Sequence, residues 1–212
     1  MKIIKDKSSR VEIKLNDPFL VAGLWKKMGF KYEQKAGSLT YFLGQKVGKF
    51  PFATKAQPST FLVNYESTEV KGYLKGLPKF RNSSNVEGYL HKHFKKSYSY
   101  GFLRASEVVE ANQGDCTEHS VLFSAINRNR GVPTRIIHGI FVDLKTRKAF
   151  GHAWNMAYEN GKWAVFDAAL GAYAKNGFYL PLLYIDREDM GYKRPLTMDT
   201  FATLPSEIIL YQ

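Results

Sequence analysis

The tightest constraint on the fold is Asn160-Gly161, set between two strand-forming runs, Ala149–Glu159 and Lys162–Ala168. Asn-Gly suits the two φ > 0 positions of a type I′ turn, whose twist matches that of the strands on either side. A two-residue turn fixes the register. Glu159 then stands opposite Lys162, Trp154 opposite Asp167 and His152 opposite Ala169. Side chains alternate between faces, so His152 and Asp167 share one face as diagonal neighbours, roughly 7–8 Å apart. The same face carries Trp154, Met156, Tyr158, Trp163 and Val165, an apolar surface suited to packing against the helix upstream. A one-residue bulge would turn Asp167 to the other face.

That helix opens at Asp115 or Cys116 and runs to Asn129, with Val121, Leu122, Ala125 and Ile126 as its buried stripe. Gly131 fits its stop, and Pro133 forbids continuation. The period then becomes that of a strand over Thr134–Leu144, with a turn at Lys145–Arg147. A long helix followed by an antiparallel meander is an α+β arrangement. Before Arg104 the reading is coarser. Strands are expected at Arg10–Lys14, Leu39–Leu43 and Phe61–Tyr65, and helices over Phe19–Met28, Ser67–Leu77 and Asn85–Phe94. Ser106 reads as the N-cap of a short helix, Glu107–Ala111. Gly48–Ser59, with Pro51 and Pro58, reads as a connection, dividing the chain into 1–58 and 59–212.

Cys116, the one cysteine, sits in Gly114-Asp115-Cys116-Thr117-Glu118-His119-Ser120 at the mouth of the long helix. A lone cysteine is commonly a small buried hydrophobe. In a first helical turn, however, unpaired backbone amides favour thiolate. An imidazole oriented by a carboxylate then supplies the base a nucleophilic thiol needs. His152 and Asp167 are the pair that the hairpin register brings together. His119 is a poorer partner, because it falls on a neighbouring helix face with only Glu118 nearby to orient it. Asp115, Glu118 and His119 read instead as a polar network fixing the helix start. The Cys116 N–H is the first nominee for an oxyanion donor, and Gln113 and Tyr100 are candidates for a second.

A single cysteine excludes an intramolecular disulfide and a multi-thiolate zinc site. The five histidines (91, 93, 119, 138 and 152) show no metal-ligand spacing, so no metal or cofactor is expected. With 44% hydrophobic and 15% aromatic residues, the chain has the makings of an aromatic-rich core. No apolar run reaches the length of a membrane span. The N-terminus lacks the apolar stretch of a secretory signal, so the expected compartment is cytoplasmic, or periplasmic or secreted if an export signal has been removed. The net charge of +12 points to a solvated lysine surface, or to attraction toward acidic polymers or anionic surfaces.

Gly-Asp-Cys-Thr-Glu-His-Ser (114–120), Gly-His-Ala-Trp-Asn (151–155) and Phe-Asp-Ala (166–168) resemble, in order and spacing, the three motifs of the bacterial transglutaminase-like superfamily. The lead-in, Tyr98-Ser99-Tyr100 through Ala105-Ser106-Glu107, is similar too, and the likeness covers roughly residues 60–172. Two positions depart from common family wording: Asn155-Met156-Ala157-Tyr158, where a carboxylate often precedes Val-Tyr, and Asp167-Ala168-Ala169, where a Thr often follows. The resemblance implies a papain-like α+β fold with the nucleophile helix packed on an antiparallel sheet. It makes 59–212 the catalytic unit, with 1–58 as an accessory region. It also implies Cys116 as nucleophile, His152 as general base and acid, and Asp167 as orienting carboxylate, with Trp154 in support. The expected chemistry is acyl transfer on a peptide or protein amide through a thioester. Water is the preferred acceptor; an amine acceptor would make a true transglutaminase. A non-catalytic binding module for acidic polymers is the other class.

Overall fold

The computed structural model describes residues 1–4, 9–44, 54–98, 103–184 and 204–211. In chain order the elements are β1 (Lys2–Ile4), β2 (Arg10–Lys14), α1 (Pro18–Lys27), β3 (Tyr32–Lys35), β4 (Ser38–Phe42), α2 (Thr68–Lys75), α3 (Ser83–His93), β5 (Lys95–Lys96) and α4 (Ala105–Ala111). There follow β6 (Gln113–Gly114), α5 (Cys116–Asn129), β7 (Thr134–Asp143), β8 (Lys148–Glu159), β9 (Lys162–Phe166), a 3-10 helix (Gly171–Asn176), β10 (Gly177–Tyr184) and β11 (Glu207–Tyr211). The central sheet runs β10-β7-β8-β9, antiparallel throughout. A second sheet runs β1-β11-β2-β4-β3. The fold is α+β. No helix among the described residues is long and apolar enough to cross a membrane.

Asn160 and Gly161 both adopt positive φ, 53° and 76°, and the hairpin takes the register that such a turn dictates, from Glu159 opposite Lys162 to Asn155 opposite Phe166. The ladder ends there. Asp167 has already left the strand, so β8 runs on from Lys148 to Trp154 without a β9 partner. This open edge is where the candidate site forms.

The packing of the hairpin corrects one expectation. The face bearing Trp154 and Met156 does not meet α5; it packs against the second sheet and α1, in a core with Val11, Trp25 and Leu39. The long helix lies on the opposite face. There Asn155 Nδ2 donates to the Ser120 carbonyl (3.0 Å) and to Ser124 Oγ (2.9 Å), and Ala157 and Phe166 pack with Leu122, Phe123 and Ile126. The division follows side-chain size. Small Ser120 and Ser124 let the helix approach closely, whereas the bulky rings need the broader surface of Trp25, Met28 and Tyr41.

Two smaller expectations are also corrected. Phe61–Tyr65 is not a strand but a turn region that inserts Leu62 and Val63 into the core, and Ala105 N–H donates to the Leu62 carbonyl. Helix α4 starts at Ala105 with Arg104 as N-cap. Ser106 is not the cap; its N–H is itself capped by Asn64 Oδ1 (3.0 Å), an acceptor that no local pattern reveals. The C-terminal strand β11, distant in sequence, runs between β1 and β2.

Candidate active site

The start of α5 is built by its own first turn. Asp115 is the N-cap, its Oδ1 accepting from Thr117 N–H at 2.8 Å, and Glu118 Oε2 reaches back to accept from Asp115 N–H at 2.9 Å. This reciprocal capping box satisfies the donors a helix start otherwise leaves open. Gly114 is required beside it, because a Cβ there would lie 2.2 Å from Glu118 Cβ. Cys116 is the first helical residue and is half-buried. Among the described residues its N–H has no acceptor, which leaves it available to a ligand oxygen.

His119 belongs to the same construction. Its Nδ1–H donates to the Asp115 carbonyl at 2.7 Å, its ring sits edge-on to Phe94, and burial lowers its pKa. Gln113 lies half-buried in β6, whose backbone pairs with Lys95. Tyr100 lies outside the described residues.

From the central sheet, His152 and Asp167 meet at the open edge of β8. His152 Nε2 donates to Asp167 Oδ2 at 2.7 Å, with both side chains 3% exposed. The Tyr179 hydroxyl donates to the same oxygen at 2.7 Å, while Oδ1 accepts from the N–H groups of Ala169 (3.0 Å) and Leu170 (2.8 Å). Four donors therefore hold this carboxylate, and their pull outweighs burial to keep its pKa low. Burial opposes charge on His152 as well. Its hydrogen bonds and charge interactions with Asp167 and with the Cys116 thiol prevail, raising its pKa to about 9. Since Nε2 is committed to Asp167, Nδ1 is the nitrogen that faces Cys116.

Trp154 and Tyr179 lie nearly parallel to the imidazole, at 19° and 23° with ring centroids 6.3 Å away, and restrain its tilt. Trp154 was legible in the motif around His152. Tyr179 was missed, because its only signal is the strand-like alternation of the segment that follows the 3-10 helix. Cys116 and His152 line a cleft of about 460 Å³, bordered by Lys96 and Tyr98 near β5 and by Phe150 and Gly151 on β8. Among the described residues no group of three or more His, Cys, Asp or Glu is placed to hold a metal ion.

A cysteine opening a core helix, joined to a His–Asp pair on an antiparallel sheet, is the layout of the papain-like cysteine enzymes. The family model of the transglutaminase-like superfamily matches residues 71–168, the segment that carries Cys116, His152 and Asp167. At the level of the family, this match supports a cysteine-dependent enzyme. Among solved structures, the chain is similar to a "putative cysteine protease" from Cytophaga hutchinsonii, at 13% identity and a TM-score of 0.48, over 84% of this chain and 77% of that one. It is also similar to a "putative protease" from Parabacteroides distasonis, at 10% identity and a TM-score of 0.34, over 78% of this chain and 39% of that one. No curated protein matches the sequence.

Proposed function

We infer that the protein cleaves a peptide or protein amide by acyl transfer through a thioester at Cys116. The observation that carries this reading is the buried pair of His152 with the four-fold-held carboxylate of Asp167, lining one cleft with the Cys116 thiol. An imidazole with a pKa near 9 is protonated at neutral pH and can serve as the proton donor to a leaving amine. In the first step the Cys116 thiolate attacks the amide carbonyl, and the developing oxyanion takes the Cys116 N–H. The C–N bond then breaks as His152 gives its Nδ1 proton to the nitrogen, leaving a thioester and a free amine. In the second step His152 takes a proton from water, whose oxygen attacks the thioester. The C–S bond breaks, the carboxylic acid is released, and the Cys116 thiolate and protonated His152 are restored.

Water is the acceptor in this reading because Gly114-Asp115-Cys116-Thr117-Glu118-His119 resembles the wording of proteases more than that of cross-linking enzymes. A primary amine entering at the same point would make the protein a transglutaminase. A second reading, a module holding acidic polymers, draws support from exposed Lys96, which lines the cleft.

Iodoacetamide labelling of Cys116 near neutral pH tests the core of the proposal. Labelling well above the rate of a free thiol, and slowed in His152→Ala, is expected; the rate of an ordinary thiol would sink it. Ammonia release from carboxamide peptides, with and without added amine, then separates hydrolysis from transfer. Salt-sensitive binding to polyglutamate or nucleic acid that survives Cys116→Ala would favour the binding module.

A further inference from the structure

Asp167 has to be aimed by something other than the sheet. β9 ends at Phe166, so the peptide of Asp167 has no ladder partner to set its direction. Its polar groups are taken up elsewhere. Asp167 N–H donates to Glu87 Oε1 at 2.6 Å, and its carbonyl accepts from Gly171 N–H at 2.8 Å. One peptide further on, the Ala168 carbonyl accepts from His91 Nδ1–H at 3.1 Å. Gly171 is seated on the same imidazole. Its φ is +54°, and a Cβ there would lie 2.6 Å from His91 Cε1.

Glu87 and His91 stand four residues apart, on one face of α3. The helix beneath them is well anchored. Ser83 N–H donates to both carboxylate oxygens of Glu159, at 3.1 and 3.0 Å, and Ser83 Oγ donates to Asn127 Oδ1 of α5 at 3.0 Å. Val86 and Leu90 are fully buried in the core shared with α5. One rigid element thus reaches from the end of the β8–β9 hairpin, at Glu159, to the turn that carries Asp167.

We propose that Glu87 and His91 are positioning residues for the candidate site, holding the Asp167 turn from α3 so that its carboxylate stays aimed at His152. The proposal rests on the reading of Cys116, His152 and Asp167 given above. Glu87 accepts the Asp167 N–H although burial and the charge of Asp167 both oppose its ionisation. The groups whose charge reaches Glu87 are Asp167, His91 on its own helix, and Tyr179 on β10.

The test reads the His152 ring directly, by NMR titration, in the full chain and in Glu87→Gln, Glu87→Ala and His91→Ala. Melting curves and the pH profile of Cys116 alkylation are recorded alongside. A freed Asp167 supports the imidazolium less well, so Glu87→Ala and His91→Ala are expected to lower the His152 pKa and to slow alkylation at neutral pH roughly tenfold or more. Glu87→Gln keeps an oxygen acceptor and is expected to recover most of both. If the alanine variants fold, lose only melting temperature and titrate as the wild type does, the two residues are merely structural and the proposal is overturned. Should Glu87→Ala not fold, His91→Ala and Glu87→Gln decide the matter by the same titration. The proposal and the reading beneath it fail separately. An unreactive wild-type thiol, indifferent to His152→Ala, removes the nucleophile; a reactive, His152-dependent thiol with unshifted variants removes only the clamp.

Discussion

At the scale of the residue, the site turns on a contest over one proton on His152. Burial disfavours the imidazolium, and the partners on either side of the ring, Asp167 and Cys116, restore it with a surplus. Replacing Asp167 by Asn removes the larger of those partners and leaves the burial. The His152 pKa is then expected to fall from about 9 to below its ordinary 6.5, as read by NMR. Replacing Cys116 by Ala removes only the smaller partner and lowers the value less. The sign carries over to stability. A folded-state pKa raised from 6.5 to about 9 contributes stability that is complete below pH 6.5 and lost as pH climbs through 9. The wild type should therefore lose melting temperature across that window, and Asp167→Asn should not. A wild-type melting temperature flat between pH 6.5 and 9 would contradict the assignment.

At the scale of the element, two glycines beside the cleft make opposite predictions. Gly114 has no room for a side chain, since a Cβ would lie 2.2 Å from Glu118 Cβ and 2.6 Å from its Cγ. Gly114→Ala therefore pushes Glu118 out of the capping box. It should cost at least the roughly 0.5–2 kcal/mol of a lost helix cap, and slow Cys116 alkylation by moving the first turn of α5. Gly151, next to His152, faces open space, and Gly151→Ala should leave the melting temperature unchanged. Equal effects of the two substitutions would refute this account of the helix start. The contrast also marks what was legible. Asn160-Gly161 yields the hairpin register, and Asp115 with Glu118 yields the helix start, because turn and cap chemistry act within a few residues. Which face of β8 receives α5 was not legible. Both faces carry side chains that could be buried, and the choice depends on Ser120 and Ser124 meeting Asn155 across the sheet. Tyr179, Glu87 and His91 were equally silent, since each acts on Asp167 from an element distant in sequence.

At the scale of the whole molecule, the second sheet is more than an appendage to the core that carries the site. It backs the face of β8 that bears Trp154, and Trp154 in turn lies against His152. Trp25 is the principal link. It is fully buried, packs edge-on against Tyr32 and Tyr41, and its indole N–H donates to the Pro181 carbonyl of β10 at 2.6 Å. In the sheet that holds these tyrosines, β11 pairs with both β1 and β2, so both ends of the described chain help to support this face. With one core shared between Val11, Trp25, Trp154 and Leu180, the two sheets should melt together. Trp25→Ala is expected to cost about 3–5 kcal/mol, the range for emptying a buried tryptophan site, while preserving a single transition. The check is a denaturant titration that follows tyrosine and tryptophan fluorescence together with the alkylation rate of Cys116. Coincident curves at a lower midpoint are expected. If fluorescence changes first while Cys116 keeps its native reactivity, the sheets are independent, and the second sheet cannot be what steadies His152 through Trp154.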